Sequence, residues 1–242
     1  MPDSHSSVTV ESTHHHHHPA LKHHFDTMEQ QRDASSFGMW VFLITEIMFF
    51  GGLFAAYLIY RNIYYDAFVA ASQSTGVTLG AINTAVLICS SLTMAMAVYS
   101  AQLGRRMALI FFLIATMGLG TVFLGIKGVE YYQKYEEHHI PGPTFSYESF
   151  VHPDQAGEKP VGADVAAKTP IYFSLYFAMT GMHALHMIIG LGIMAVLVVR
   201  AYKGQFPPEH YTMVENFGLY WHFVDIIWIY LFPLLYLISR HK

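Results

Sequence analysis

The sequence predicts an all-α fold, a polytopic membrane bundle with five transmembrane helices. Of the 242 residues, 53% are hydrophobic and only 12% are charged, against roughly 25% charged in an ordinary soluble domain. Five stretches are long and apolar enough to cross a bilayer, which takes about 20 residues in a helix. Because hydrocarbon offers the backbone no hydrogen-bond partner, each of these stretches must be helical.

The five predicted spans are separated by connections of very different length. The spans cover residues 37–60, 79–103, 107–131, 171–199 and 217–238, within a transmembrane domain of residues 37–242. A long polar loop, residues 132–170, joins the third span to the fourth. Polar connecting segments normally run over a protein's surface, so we expect this loop to lie outside the membrane.

Residues 1–36 form a polar, histidine-rich tail ahead of the first span. The tail includes a run of histidines from His14 to His18, followed by Pro19. A short internal run of this kind is more typical of a disordered native tail with incidental metal affinity than of an engineered tag.

The distribution of Lys and Arg predicts the orientation, since cytoplasmic connections carry the excess of these residues. One side of the membrane would carry Lys22, Arg32, Arg105, Arg106, Arg200 and Lys203, and the other Arg61, Lys134, Lys159, Lys168, Arg240 and Lys242. Charges in long loops count for less. We therefore expect a cytoplasmic N-terminus and a C-terminus on the outside.

Cys89 is the one cysteine of the chain and lies in the second span. It cannot form an internal disulfide, and it excludes a two-cysteine copper or iron–sulfur site within this chain. We expect no metal site and no catalytic residue here. No nucleic acid partner is expected either.

Small residues recur at the spacing that lets membrane helices pack closely. The sets are Gly51/Ala55, Gly52/Ala56, Gly118 with Gly120 and Gly125, and Gly190 with Met194. They predict close helix–helix contacts and need no functional explanation.

Glu46 is an acid near the middle of the first span, within MWVFLITEIMFF, residues 39–50. A charge at a helix centre costs about 2.5–3.5 kcal/mol on insertion scales, so such groups are normally buried with a partner. Two interpretations stay open: an acid that exchanges protons or reacts from the lipid side, and a neutral acid that pins two helices together. We expect a hydrogen bond from Glu46 to a histidine of the fourth span.

Four further ionisable residues lie deep in the last two spans. His183 and His186 stand three residues apart in the fourth span, and His222 and Asp225 have the same spacing in the fifth. Each pair therefore shares one face of its helix. These side chains could be ligands, a proton relay or a polar seam between helices, and haem ligation by two histidines is the least favoured of these.

Lys127 and Glu130 lie where the third span leaves the bilayer. The ordinary interpretation is a snorkelling ion pair, and the alternative is a docking site for lipid headgroups or a neighbouring subunit. Aromatic side chains are also common at membrane interfaces, although two tryptophans seven residues apart could line a buried stripe instead. The expected lipid or subunit contacts are Trp40, Tyr57, Lys127, Glu130, Trp221 and Trp228.

Five segments, one from each span, resemble subunit III of haem–copper cytochrome c oxidases. In chain order they are GMWVFLITEIMFFGGLF, NTAVLICSSLTM, FLGIKGVEY, YFAMTGMHALHMIIG and YWHFVDIIWIYLF. The resemblance leaves out the tail and the long loop, and it is to the short, five-helix bacterial form of the family. Lys127 stands where the family usually has glutamine.

The resemblance implies an accessory, non-redox subunit of a proton-pumping aa3-type oxidase in a bacterial cytoplasmic membrane. Such a subunit stabilises subunit I, holds phospholipids and supports proton uptake, while haem and copper belong to partner subunits. Its partners would be subunits I and II, with subunit IV or a larger respiratory supercomplex as further candidates. Glu46 matches the family's carbodiimide-reactive glutamate, and the four residues of the last two spans match its polar seam.

Three alternatives remain at this point. The equivalent subunit of a quinol oxidase or nitric oxide reductase has a similar five-helix chain. A b-type cytochrome would use His222 with His183 or His186 as haem ligands. A proton-coupled transporter is disfavoured, because the sequence shows no internal repeat.

Overall fold

The protein is described by a computed structural model that covers residues 25, 27–142, 145–146, 148–151, 160–206 and 211–238. Its helices are α1 (Met28–Ile63), α2 (Tyr65–Gln73), α3 (Val77–Gln102), α4 (Arg106–Glu136), α5 (Glu148–Val151), α6 (Ala163–Ala166), α7 (Thr169–Tyr202) and α8 (Thr212–Tyr236). The described residues contain no strand, and five helices, α1, α3, α4, α7 and α8, are long and apolar enough to cross a membrane. The predicted fold class is confirmed. The histidine run of the tail lies outside the described residues.

Helix α1 begins well before the apolar stretch that predicted it. The hydroxyl of Thr27 accepts a hydrogen bond from the backbone N–H of Gln30 at 3.1 Å, and Glu29 adds an acid to the first turn. Both features stabilise a helix N-terminus. Hydropathy therefore indicates where the chain meets hydrocarbon, whereas the cap sets where the helix starts.

Helix α2 is a short element that the sequence analysis left as a connection. Phe68 is fully buried, and its ring packs edge-on against Tyr57 of α1 and Tyr172 of α7, at centroid distances of 5.3 and 5.5 Å. The nine residues are too short for a stable helix alone. This aromatic packing is what holds α2 on the bundle.

Helix α8 is the most buried of the five long helices. It packs against α1, α3 and α7, while α4 packs against α3 and α7. Two tyrosines satisfy carbonyls at its C-terminal end: Tyr57 donates to Leu234 O at 2.7 Å and Tyr172 to Leu235 O at 2.9 Å. Helix ends leave such carbonyls without intrahelical partners, so these bonds tie α1 and α7 to the end of α8.

Two of the small residues make the expected close contacts. An ideal Cβ on Gly120 would lie 3.0 Å from the Trp221 ring, and one on Gly190 would lie 2.9 Å from the same ring. Trp221 therefore fits between α4 and α7 because both helices have glycine there. For four other glycines, the expected close contact with a helix of this chain is wrong. An ideal Cβ on them would meet no heavy atom of the described residues within 4 Å: Gly51, Gly52, Gly118 and Gly125.

Replacing Gly190 with alanine is expected to lower the free energy of unfolding by about 1–3 kcal/mol, the usual cost of overpacking a core. Gly192→Ala is the matched control on the same helix, since its Cβ would have no described atom within 4 Å. The control should be neutral or stabilising by up to about 1 kcal/mol. Unfolding of both variants in mixed detergent and SDS micelles measures the difference, and equal effects would contradict the packing.

Candidate functional site

Glu46 and His186 form a pair between α1 and α7, as expected from the sequence. The distance from Glu46 Oε2 to His186 Nε2 is 3.1 Å. His186 Nδ1 lies 2.8 Å from the carbonyl oxygen of Met182, so this nitrogen must carry a hydrogen. The contact between Nε2 and Oε2 then requires one shared proton, on the carboxyl group or on the imidazole. The contact between α1 and α7 therefore depends on one proton that the two side chains hold between them.

The pair lies at one wall of a groove of about 520 Å³. The side chains of His186 and Glu46 are 12% and 19% exposed, so both can be reached from the groove. The groove is otherwise mostly apolar, and its lining residues are Met39, Phe42, Glu46, His186, Ile189, Ile193, Met213, Asn216, Phe217 and Tyr220. Its size lies within the range of pockets that bind small molecules.

His183 lies one turn from His186 but faces a different environment. It is buried between Phe123 of α4 and Trp228 of α8, with ring centroids 5.4 and 5.2 Å away. Among the described residues, neither ring nitrogen has a hydrogen-bond partner. A buried polar group without a partner costs about 1–3 kcal/mol.

His222 and Asp225 form a third, separate location. His222 Nδ1 lies 2.7 Å from the hydroxyl of Ser91 on α3. Asp225 is buried, and neither carboxylate oxygen meets a hydrogen-bond partner in the described part of the chain, although Ser91 lies beside it. The four residues predicted as one polar seam are therefore divided. Successive residues of an α-helix are rotated by about 100°. Polar side chains that are close in sequence can therefore face different neighbouring helices.

Lys127 and Glu130 form a buried ion pair in the middle of an aromatic cluster. The Lys127 ammonium donates to Glu130 Oε2 at 2.9 Å and to the hydroxyls of Tyr176 and Tyr236 at 3.0 and 2.9 Å. Both tyrosines in turn donate to Glu130 Oε1, at 2.8 and 2.6 Å. All three ammonium protons and both carboxylate oxygens are thus used, which is what a buried pair requires.

The snorkelling interpretation of this ion pair is therefore wrong. Lys127 is 3% and Glu130 2% exposed, because α4 continues to Glu136 and α7 and α8 cover it there. Lipid or subunit contact is likewise excluded, as the chain is described, for Tyr57, Trp221 and Trp228, each of which is fully buried. The two tryptophans do line one buried stripe. Trp40 is 57% exposed, and its contact with lipid or a subunit stays a prediction.

A comparison with known proteins gives the family. The family model described as "Cytochrome c oxidase subunit III" matches residues 155–240. A probable cytochrome c oxidase subunit 3 of Nocardia farcinica is 30% identical over 203 residues, covering 84% of this chain and 87% of the relative. The chain belongs to the cytochrome c oxidase subunit III family. The subunit 3 of Thermostichus vulcanus is 29% identical over 89% of this chain and 92% of its own, and that of Oncorhynchus clarkii is 30% identical over 83% and 68%.

Membership of the subunit III family makes the chain a component of an oxidase, and its apolar helices make it a multi-pass membrane protein. Within the described residues, no group of three or more His, Cys, Asp or Glu side chains is arranged to hold a metal ion. Glu46 and His186 are instead paired between α1 and α7, and Lys127 and Glu130 are paired within α4.

Sequence reasoning missed the two tyrosines that complete the Lys127–Glu130 pair. Tyr176 and Tyr236 lie 46 and 106 residues from Glu130 along the chain. Their positions in apolar segments gave no signal. The burial of a lysine and an acid three residues apart would have implied such partners, had the extent of α4 been known.

A second missed cluster anchors the start of the long loop in this subunit III family member. Lys134 donates to Ser74 O at 2.6 Å and to Glu137 Oε2 at 2.5 Å, and His139 Nδ1 lies 3.1 Å from the same oxygen. Burial raises the pKa of Glu137, but the hydrogen bonds and charges of His139 and Lys134 outweigh it and lower the pKa to about 2. The cluster therefore ties the end of α4 to the end of α2.

Proposed function

We propose that the chain is the accessory, non-redox subunit III of a proton-pumping aa3-type cytochrome c oxidase. It lies in a bacterial cytoplasmic membrane, with its N-terminus inside and its C-terminus outside. It stabilises subunit I, holds phospholipid and supports proton uptake. The observation that carries this proposal is the Glu46–His186 pair, which shares one proton and opens onto an apolar groove.

The groove supports the lipid-holding part of the proposal. Ile189, Ile193 and Phe217 give it an apolar wall, and Glu46 and Asn216 supply polar atoms. An acyl chain in the groove would bury apolar surface on three helices at once. Bound lipid would then hold α1, which has few buried residues of its own, against α7 and α8.

The outer faces of the bundle support a contact with subunit I. Large apolar side chains are exposed along α3 and α4, among them Leu92, Met107 and Phe111. The open positions at Gly118 and Gly125 would let another helix approach closely. Subunit II and further subunits or a supercomplex are the other proposed partners.

The surroundings of the histidines support placing haem and copper in the partner subunits. A haem held by two histidines needs both on facing helices, with room for the porphyrin between them. His183 is packed between two aromatic rings, and both nitrogens of His186 are already engaged. These contacts favour a chain without a haem of its own over the b-type cytochrome alternative.

The test is Glu46→Gln in the intact oxidase. The glutamine amide can still donate to His186 Nε2, so assembly and haem content should be unchanged. The exchangeable proton is lost, and we expect proton uptake at alkaline pH and the number of turnovers before inactivation to fall several-fold. Glu29→Gln, at the exposed start of the same helix, is the matched control. Unchanged uptake and lifetime in the Glu46 variant would leave Glu46 with a packing role alone.

A further inference from the structure

The outer stripe of α8 is the line of side chains on this helix that the rest of the bundle leaves uncovered. Between Phe217 and Leu231, the side chains that are not buried are Leu219, His222, Ile226, Ile229 and Tyr230. Their spacing of three or four residues places them on one face of the helix. Ile226 and Ile229 are 50% and 44% exposed, so His222 is an imidazole on an otherwise apolar and aromatic surface.

Only one nitrogen of the His222 ring is used within the bundle. Nδ1 lies 2.7 Å from the Ser91 hydroxyl of α3. Among the described residues, Nε2 has no hydrogen-bond partner, and it is not one of their enclosed polar atoms. Because the ring is only half-buried on the outer stripe, Nε2 is open to the surroundings of the bundle. It can donate a hydrogen bond when Nδ1 accepts one from Ser91, or accept one when Nδ1 donates.

His222 lies close to the centre of the membrane. Its partner Ser91 is twelve residues from each end of the span 79–103, which is about 18 Å of helix on either side. Ile88 and Leu92, near Ser91 on α3, are 54% and 65% exposed, so the outer surface at this depth is apolar. Phospholipid headgroups and bulk water stay outside the hydrocarbon core of about 30 Å, and a histidine within that core is normally paired. Nε2 therefore needs a partner from another membrane-spanning segment.

We propose that the outer stripe of α8 is the contact surface for a transmembrane helix of another oxidase subunit, which presents a hydroxyl, amide or carboxyl side chain to His222 Nε2. All five membrane-spanning helices of the described residues are already packed in the bundle, so the partner helix comes from a different chain. Histidine side chains hydrogen-bond across membrane helices in this way. A single polar contact in an apolar seam also fixes the register of the two helices. The inference rests on the proposed function, which supplies the oxidase as the source of the partner.

The first test compares His222→Asn with His222→Gln in the purified native complex. The asparagine amide lies near the position of Nδ1, so it keeps the bond to Ser91 and removes the outer nitrogen. The glutamine amide lies near the position of Nε2 and does the reverse. As detergent is increased, the amount of this chain that stays with the haem–copper subunits should fall about threefold or more for the asparagine variant and remain near that of the wild type for the glutamine variant. The opposite order, or equal retention of both variants, overturns the proposal.

The second test is photo-crosslinking in the native complex, with p-benzoylphenylalanine in place of Ile226, one turn from His222 on the outer stripe. We expect an adduct with a transmembrane peptide of another oxidase subunit, identified by mass spectrometry. Adducts with lipid alone, or with a second copy of this chain, overturn the proposal. A wild-type chain that purifies without any haem–copper companion contradicts the proposed function itself. A complex that contains those companions but gives no cross-link to them from position 226 contradicts only this inference.

Discussion

Lys127→Met is expected to lower the free energy of unfolding of the chain by about 3–5 kcal/mol, the usual cost of removing one partner of a buried ion pair. The substitution leaves the Glu130 carboxylate among aromatic rings, with the hydroxyls of Tyr176 and Tyr236 as its remaining donors. Equilibrium unfolding in mixed detergent and SDS micelles measures the loss. The control is Lys203→Met, an exposed lysine at the end of α7 whose replacement should change stability by no more than about 0.5 kcal/mol.

The double variant Lys127→Met with Glu130→Gln separates the pair from its surroundings. The glutamine carbonyl oxygen can still accept from both tyrosines, and no charge remains buried. Most of the loss should therefore be recovered, since a buried pair contributes less than the cost of breaking it. A single variant as stable as the control would mean that Lys127 is solvated and that the buried network is absent.

Trp221→Ala is expected to cost about 3–5 kcal/mol of unfolding free energy, as large-to-small substitutions of buried tryptophan do. Trp221 is fully buried and fills the space that Gly120 and Gly190 leave between α4 and α7. Its indole N–H also donates to the Ser90 hydroxyl at 3.2 Å. The substitution removes the contacts of the indole ring and leaves a cavity between α4 and α7, which these helices can close only by moving.

Trp40→Ala is the matched control, because Trp40 is 57% exposed on α1. In the isolated chain it should change the unfolding free energy by no more than about 0.5 kcal/mol. A larger effect in the assembled complex than in the isolated chain would support its predicted contact with lipid or a neighbouring subunit. If Trp40→Ala and Trp221→Ala lowered the unfolding free energy of the isolated chain by similar amounts, the result would contradict the burial of Trp221 between α4 and α7.

The sequence was sufficient to predict the five membrane-spanning helices. Whether a segment can span the bilayer depends on its own length and hydropathy, and not on its contacts with other helices. It also predicted the partner of Glu46. An intramembrane acid must find a polar partner, and the candidates were few, so the fourth-span histidine was indicated before any coordinates.

Which face of a helix is covered could not be predicted in the same way. Lys127 was placed at a surface because the apolar run ends shortly after it, yet α4 continues to Glu136 and the residue is buried. Likewise, His183 and His186 are one helical turn apart. His186 meets Glu46 and His183 meets Trp228 only because of where α1 and α8 lie. Helix packing depends on neighbours that are distant in sequence, which local pattern does not specify.

The central claim is that this chain supports an oxidase whose metals are held by other subunits. The most direct measurement is to purify the chain from its native membranes, identify the companion subunits by mass, and record the optical spectrum of the complex and of the separated chain. We predict haem–copper subunits I and II in stoichiometric amounts, and a separated chain without a Soret band. A chain recovered without any haem–copper companion, or one that retains stoichiometric haem of its own, would contradict the account.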